Sequence, residues 1–230
     1  MLAIIPARKG SKKIKNKNRR LINRKPLISY TIEAALKSKY ISQLLVSSDD
    51  KAIIKIASQY NIDTPFLRPK KISLDKSEMK QVIIYNIEKL IKLKKKKIHE
   101  VILLQPTSPL RTSKDIDLAI KLFKKNKADS VIAVKKVDIP YKWLLNLGKK
   151  NKLKLKNSNL NISTNRQSYE TLYIPNGSIF IFNYNFLKKS KNYYGKRTYG
   201  YIMPKVKSFD IDDQTDFQIA EGFLKKNYEK

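Results

Sequence analysis

Short runs of uninterrupted apolar residues recur along the chain, and a stretch with helical spacing separates each from the next. The apolar runs are Leu2-Ala-Ile-Ile-Pro6, Leu44-Leu-Val46, the Val-Ile-Leu-Leu within Glu100–Gln105, and Asp129–Val134. Between them, Leu27–Lys37 sets Ile28, Ile32, Ala35 and Leu36 on one helical face. Lys51–Tyr60 is a second helix, and Ser47-Ser-Asp-Asp50 supplies its cap. Ser77–Lys95 carries Val82, Ile83, Ile87, Leu90 and Ile91, and Ser113 is expected to cap a helix over Lys114–Lys125. A strand that is apolar on both faces must be covered on both. Such strands alternating with helices predict an α/β fold, a mostly parallel sheet flanked by helices.

The alternation breaks near residue 135. Residues 136–175 hold Pro140, Trp143, a lysine/asparagine stretch and Tyr173, and Leu153-Lys-Leu-Lys156 alternates like an exposed strand. This reads as an inserted β-rich arm over 136–175, with the core built from 1–135 and 176–230. Alternation resumes with Ser178–Phe182 and Tyr199–Met203, then a last helix from about Asp213 to Asn227. A chain of 230 residues suits one substantial domain with such an insert.

Composition removes several chemistries. Without cysteine there are no disulfides, thiolate metal sites or thiol nucleophiles. The single histidine, His99, follows a lysine run beside Glu100 and reads as a surface residue. No apolar run approaches the ~20 residues that span a bilayer. The apolar start lacks the basic flank of a signal peptide and reads as a strand, so the expected compartment is the cytoplasm. The net charge of +31 suggests an anionic partner. Yet only eight of the 50 basic residues are arginine, the lysines are dispersed, and Asn and Ile are abundant too. These are residues of AT-rich codons, so base composition accounts for the excess, and neither nucleic acid nor membrane is an expected partner. The positive field would still help attract a small polyanion such as a nucleoside triphosphate.

Open α/β sheets bind ligands beyond the carboxyl ends of their strands. After the first strand, Pro6–Asn18 offers Arg8, Ser11, Lys12, Lys17 and nearby backbone N–H groups, a set that suits phosphate oxygens. It is not a Walker A loop, because the Gly-Lys-Ser/Thr order is missing. After the central strand, Pro106 and Pro109 stiffen a loop in which Gln105, Thr107 and Ser108 offer hydrogen bonds and Arg111 a fork for an anion. Near the end, Asp210 and Asp212 point to the same side of an extended segment. They call for lysine partners or a hard cation such as Mg2+. Asp213 is expected to cap the last helix, with Asp216 on its first turn.

Taken together and in order, Pro6-Ala-Arg-x-Gly-Ser with Lys17-Asn18, Leu104-Gln-Pro-Thr-Ser-Pro-Leu-Arg111, Asn176-Gly177 and Asp210-Ile-Asp212 resemble the acylneuraminate cytidylyltransferases, or CMP-sialic acid synthetases. Ser48-Asp49, Leu67-Arg-Pro69, Arg166-Gln167 and Tyr173 extend the resemblance over nearly the whole chain. The resemblance implies a Rossmann-like nucleotidyltransferase fold whose inserted arm swaps across a homodimer. The implied reaction joins CTP to a nine-carbon acidic sugar with Mg2+ and releases pyrophosphate. It places Arg8, Ser11, Lys17 and Asn18 on the CTP phosphates and Arg68 on the nucleotide. Gln105, Lys142, Arg166 and Asn176 belong to the sugar side, and Asp210 and Asp212 to the metal. Arg8, Lys17 and Asp212 would be catalytic. The first two stabilise the leaving pyrophosphate, and Asp212 assists deprotonation directly or through the metal.

Three departures accompany this likeness. Lys9 and Lys13 stand where the family often has small residues, and would be strained if either site needed a positive φ. Ile174 replaces an arginine that sialic-acid-specific relatives can carry, which points toward a modified sugar such as legionaminic or pseudaminic acid. Met79 lies where relatives place a hydroxyl near the base. The rival readings are a cytidylyltransferase for an eight-carbon ulosonic acid, a polybasic nucleic-acid-binding protein, and an inactive relative kept as a binding module.

Overall fold

The computed structural model describes residues 1–11, 13–156, 163 and 165–228. Lys12, one of the residues expected to suit phosphate, lies outside the described residues, as do 157–162 and 164 of the expected arm. In chain order the elements are β1 (Leu2–Pro6), β2 (Leu21–Ile22), β3 (Lys25–Pro26), α1 (Leu27–Leu36), β4 (Gln43–Ser47) and α2 (Lys51–Ser58). Next come α3 (Met79–Lys94), β5 (Glu100–Leu104), α4 (Ser113–Lys125), β6 (Ser130–Lys136), β7 (Leu145–Leu147) and β8 (Leu153–Leu155). The chain closes with β9 (Tyr173–Asn183), α5 (Tyr184–Lys189), β10 (Thr198–Ile202) and α6 (Gln214–Tyr228).

Six strands form the main sheet in the order β10-β6-β9-β5-β1-β4. The pairs β1–β4, β1–β5 and β6–β10 are parallel. Strand β9 runs antiparallel to both of its neighbours, β5 and β6. The sheet is therefore mostly parallel, as the apolar runs predict, with one reversed strand in its middle.

The apolar runs are continuous because both faces of the sheet are covered. Ala3, Ile5, Ile102, Leu104, Ile179 and Ile181 pack with Ile28, Ile32, Ile53, Ile116 and Ile120 of α1, α2 and α4. Their neighbours in sequence, Leu2, Ile4, Val101, Leu103 and Phe182, point the other way onto Ile83, Ile87 and Leu90 of α3 and Leu187 of α5. Each such fully buried side chain contributes about 1.5–3 kcal/mol relative to exposure. A third cluster, with Ile14, Ile22, Leu27, Leu110, Ile211 and Phe217, fastens α6 to the first-strand loop.

The cap of α4 differs by one residue from expectation. Thr112, not Ser113, is the cap, and its hydroxyl and Asp115 form a reciprocal capping box. Asp213 does cap α6, its Oδ1 accepting the Asp216 N–H at 3.0 Å. Asp216 does more than sit on the first turn: its Oδ2 accepts the N–H groups of Asp212 and Asp213 at 2.9 and 3.0 Å.

Strands β6 and β9 pair beyond the core, with Val134, Lys135 and Lys136 opposite Pro175, Ile174 and Tyr173. The described residues between 137 and 172 stand outside the main sheet. There β7 and β8 form a small antiparallel hairpin that exposes Leu145, Leu147, Leu153 and Leu155. Trp143 packs edge-on against Tyr169 at 6.2 Å, and both side chains donate to the Ser163 carbonyl. Among the described residues no helix is long and apolar enough to cross a membrane.

Candidate active site

Beyond the carboxyl ends of β1 and β5 lies a cleft of about 170 Å³. Arg8, Ser11, Lys17, Asn18, Arg68 and Gln105, six of the expected site residues, line it together with Thr107 and Met79. The first-strand loop is closed by Asn18, whose buried amide donates to the Arg8 carbonyl at 3.3 Å. Asn16 takes the left-handed turn of this loop at φ 56°. Lys9 does not have a positive φ, so this lysine sits in its departure from the family pattern without strain. Asparagine is among the few non-glycine residues that tolerate the left-handed region.

The cations of the cleft already face carboxylates. The Arg8 guanidinium pairs with Asp75. Lys17 donates its ammonium to the Ile211 carbonyl at 2.7 Å. Burial lowers the Lys17 pKa, and Asp210 and Asp212 oppose that shift. Arg68 is only 4% exposed. Its Nε donates to Ser73 Oγ at 3.0 Å, and Asp49 lies 3.8 Å from Nη2. Burial lowers its pKa, with Asp49 acting the other way.

The acidic segment is held at several points. The Ile211 side chain is buried in the third apolar cluster, and its N–H donates to the Thr107 carbonyl at 2.9 Å. In an extended chain this turns Asp210 and Asp212 to the opposite side, the side on which Lys17 is found. Asp212 is exposed, whereas Asp210 is partly buried. Burial pushes the Asp210 carboxyl above its ordinary range and Asp212 adds to the rise, while the Thr107 hydrogen bond and Lys17 counter it.

Asp210 Oδ1 is buried and takes no hydrogen bond from the protein. A carboxylate oxygen left this way, with a second carboxylate two residues on, fits a hard divalent cation. No group of three His, Cys, Asp or Glu side chains that could hold a metal occurs among the described residues. The remaining ligands would come from phosphate oxygens and water, as is usual for Mg2+.

Gly177 sits beside this pair at φ 77°. A Cβ there would lie 3.5 Å from Gln105 Oε1 and 3.8 Å from Asp210 Oδ2. We expect Gly177→Ala to cost about 1–2 kcal/mol of stability from the left-handed backbone. The distances to Gln105 and Asp210 are ordinary contact distances, so the backbone adjustment rather than a clash should lower turnover, by about tenfold. A thermal melt and a pyrophosphate assay on the same preparation check both effects.

Other expected residues stand elsewhere. Lys142 and Arg166 lie between β6 and β9, outside the main sheet, and do not line the cleft. Lys142 Nζ is 5.6 Å from the centre of the Tyr169 ring. Arg166 faces Asp138 at 3.8 Å and borders a separate groove of about 460 Å³. Asn176 is buried: its amide N–H donates to Ser208 Oγ at 2.9 Å and its Oδ1 accepts the Ser178 N–H at 3.0 Å. It fastens β9 to the segment leading into Asp210.

Arg111 corrects the reading of an anion fork. It is buried, and its guanidinium donates to the carbonyls of Gln105 (3.1 Å) and Ser178 (2.8 Å) and to Thr31 Oγ1 (2.6 Å). Complete burial lowers its pKa to about 9, with Asp115 opposing. It holds the 105–111 loop onto β9. Asp75 and the clamping role of the Thr107 carbonyl had no sequence signal of their own, and Asp49 was marked only by the resemblance, not by its pairing with Arg68. Each acts on a residue distant in the chain.

Cations and two carboxylates gathered at the strand ends of a mostly parallel sheet define a Rossmann-like nucleotidyltransferase. The fold is that of solved cytidylyltransferases. One of them, CMP:2-keto-3-deoxy-manno-octonic acid synthetase complexed with CTP, superposes with a TM-score of 0.70 at 13% identity, covering 98% of each chain. The chain belongs to the cytidylyltransferase family, whose model matches residues 2–230. It is 35% identical over 232 residues to the N-acylneuraminate cytidylyltransferase of Escherichia coli O18:K1:H7, covering 100% of this chain but 54% of that protein. To the CMP-N,N'-diacetyllegionaminic acid synthase of Legionella pneumophila it is 32% identical, covering 100% of this chain and 98% of the relative. The chain thus spans about half the length of the first relative and nearly all of the second.

Proposed function

We propose that this chain activates a nine-carbon acidic sugar by transferring CMP from CTP to it, with release of pyrophosphate. The observation that carries this reading is the cleft lined by Arg8 and Lys17, with Asp210 and Asp212 near enough to Lys17 to act on its charge. The sugar's anomeric oxygen forms a bond to the α-phosphorus as the bond to the leaving pyrophosphate breaks. Arg8 and Lys17 neutralise charge on the pyrophosphate, Ser11 and Asn18 orient the phosphates, and Arg68 fixes the nucleotide. Positioning and charge neutralisation dominate such transfers, so no nucleophilic side chain is required. Asp210 and Asp212 would hold Mg2+, which when bound supplies charge neutralisation at the phosphate oxygens. Asp212, the exposed member, would assist deprotonation of the sugar hydroxyl directly or through the metal.

Gln105, which lines the cleft, would face the sugar. Lys142 and Arg166 would reach the sugar from the arm of a second copy, in a homodimer. The solvent-facing leucines of the hairpin support this, because an apolar face of that kind favours a protein partner. We expect the double change Leu147→Asp and Leu153→Asp to give a monomer by light scattering, with sugar turnover reduced and CTP binding kept. A persisting dimer of normal activity would remove the arm from assembly. Ile174 is 49% exposed on β9, opposite Lys135. Its aliphatic surface favours a modified sugar such as legionaminic or pseudaminic acid. We place the reaction in the cytoplasm, with its CTP.

Pyrophosphate release from CTP and Mg2+ tests the reading, against N-acetylneuraminic, legionaminic, pseudaminic and eight-carbon ulosonic acids. Release with a nine-carbon acid is expected. Release with the eight-carbon acid alone would reassign the substrate. No release, together with salt-sensitive nucleic-acid binding, would favour the polybasic reading.

A further inference from the structure

On the first turn of α4, outside the residues that line the cleft, lies a buried carboxylate that the proposed chemistry does not use. Asp115, on the first turn of α4, is 3% exposed. Its Oδ2 accepts the Thr112 N–H at 2.9 Å and the Thr112 hydroxyl at 2.6 Å. Its Oδ1 accepts the Tyr201 hydroxyl of β10 at 3.3 Å. Lys207 closes the group, its ammonium 3.0 and 2.9 Å from the two oxygens. Burial alone would push this carboxyl up; the Thr112 hydrogen bonds and Lys207 together hold it below the ordinary range.

A helix cap needs only Thr112 and Asp115. The ammonium from elsewhere in the chain needs another reason, and its position supplies one. Lys207 ends three residues before Asp210. The residue after it, Ser208, is buried and receives the Asn176 amide at 2.9 Å. Asp210 is thus tied on its upstream side to α4 through Lys207 and to β9 through Ser208. Downstream, Ile211 is tied to Thr107 and Lys17.

We propose that Lys207, seated on Asp115, is a positioning residue that sets where Asp210 presents its carboxylate to the divalent cation. This rests on the reading that Asp210 and Asp212 hold that cation. Groups that orient a metal ligand without touching the metal typically change affinity or activity by about 10–100-fold when removed.

The test uses the full chain and Lys207→Met, with Lys207→Arg as the conservative variant. Tyr201→Phe is a third variant that leaves the ion pair intact. Binding of Mn2+ alone, followed by electron paramagnetic resonance without nucleotide or sugar, gives a readout independent of turnover. Lys207→Met should weaken Mn2+ binding about tenfold and raise the half-saturating Mg2+ in turnover by a similar factor. The KM for CTP at saturating Mg2+ should stay unchanged. Lys207→Arg should restore Mn2+ affinity, and Tyr201→Phe should retain most of it. If Lys207→Met lowers the melting temperature but leaves Mn2+ affinity and Mg2+ dependence as in the parent, Lys207 is structural only and the proposal is overturned. If Asp210→Ala and the parent bind Mn2+ equally, the metal assignment itself is wrong and the proposal falls with it. That result is distinguishable from the first.

Discussion

Asp210→Asn is expected to lower turnover by about a thousandfold or more, the scale on which electrostatic groups aimed at a transition state act. The substitution keeps the shape of the side chain and a group for Thr107 to bond. It removes the charge that faces Lys17 and would face the cation. Stability should change little, because a partly buried carboxyl whose pKa burial has already raised gains by becoming neutral. Pyrophosphate release under saturating CTP and sugar, paired with a thermal melt, separates the two effects. Near-parental turnover with an unchanged melt would take Asp210 out of the mechanism.

Lys17→Met should lower kcat by about 10²–10³-fold, as loss of one oriented donor to a developing charge does. The KM for the sugar should move much less. The Lys17 ammonium bonds to the Ile211 carbonyl at 2.7 Å, so this residue also links the first-strand loop to the acidic segment. Steady-state kinetics with each substrate varied in turn decides the matter. A rise confined to the sugar KM would move Lys17 from the phosphates to the sugar.

Much of the fold could be read from the order of residues, because both-face burial leaves a mark that no local accident imitates. Val101–Leu104 is apolar at every position, since odd and even residues face different helix layers. The direction of β9 was not legible. Ile179 and Ile181 are as apolar as any parallel strand, and hydrophobicity has no sense of direction. The reversal agrees with the connection: among the described residues no crossover α-helix joins β6 to β9, and the returning strand lies antiparallel.

The site was legible where chemistry is local to a loop. Arg8, Ser11, Lys17, Asn18, Arg68 and Gln105 meet in one cleft. It was not legible where the deciding partner is remote. Arg111 looked free for an anion because Thr31 and Ser178, which occupy it, lie 80 and 67 residues away. Asp75 stands far from Arg8 in sequence and close in space, and nothing in its lysine-rich surroundings marks it. The cap of α4 reads at Ser113 in the sequence, whereas Thr112 forms it, and the Thr112-x-x-Asp115 spacing is the signal that could have placed it.

The antiparallel seating of β9 has a consequence for how such a chain can change. Residues 137–172 leave the sheet from β6 and return on its hydrogen-bonded neighbour, so topologically they are an overgrown hairpin loop. The entropic cost of closing such a loop grows only with the logarithm of its length. The segment is therefore an exchangeable module. Grafting the corresponding segment of a relative between Lys136 and Tyr173 would leave strand order, phosphate loop and paired aspartates untouched. A set of such chimaeras could vary acceptor choice while the nucleotide half of the reaction is inherited intact.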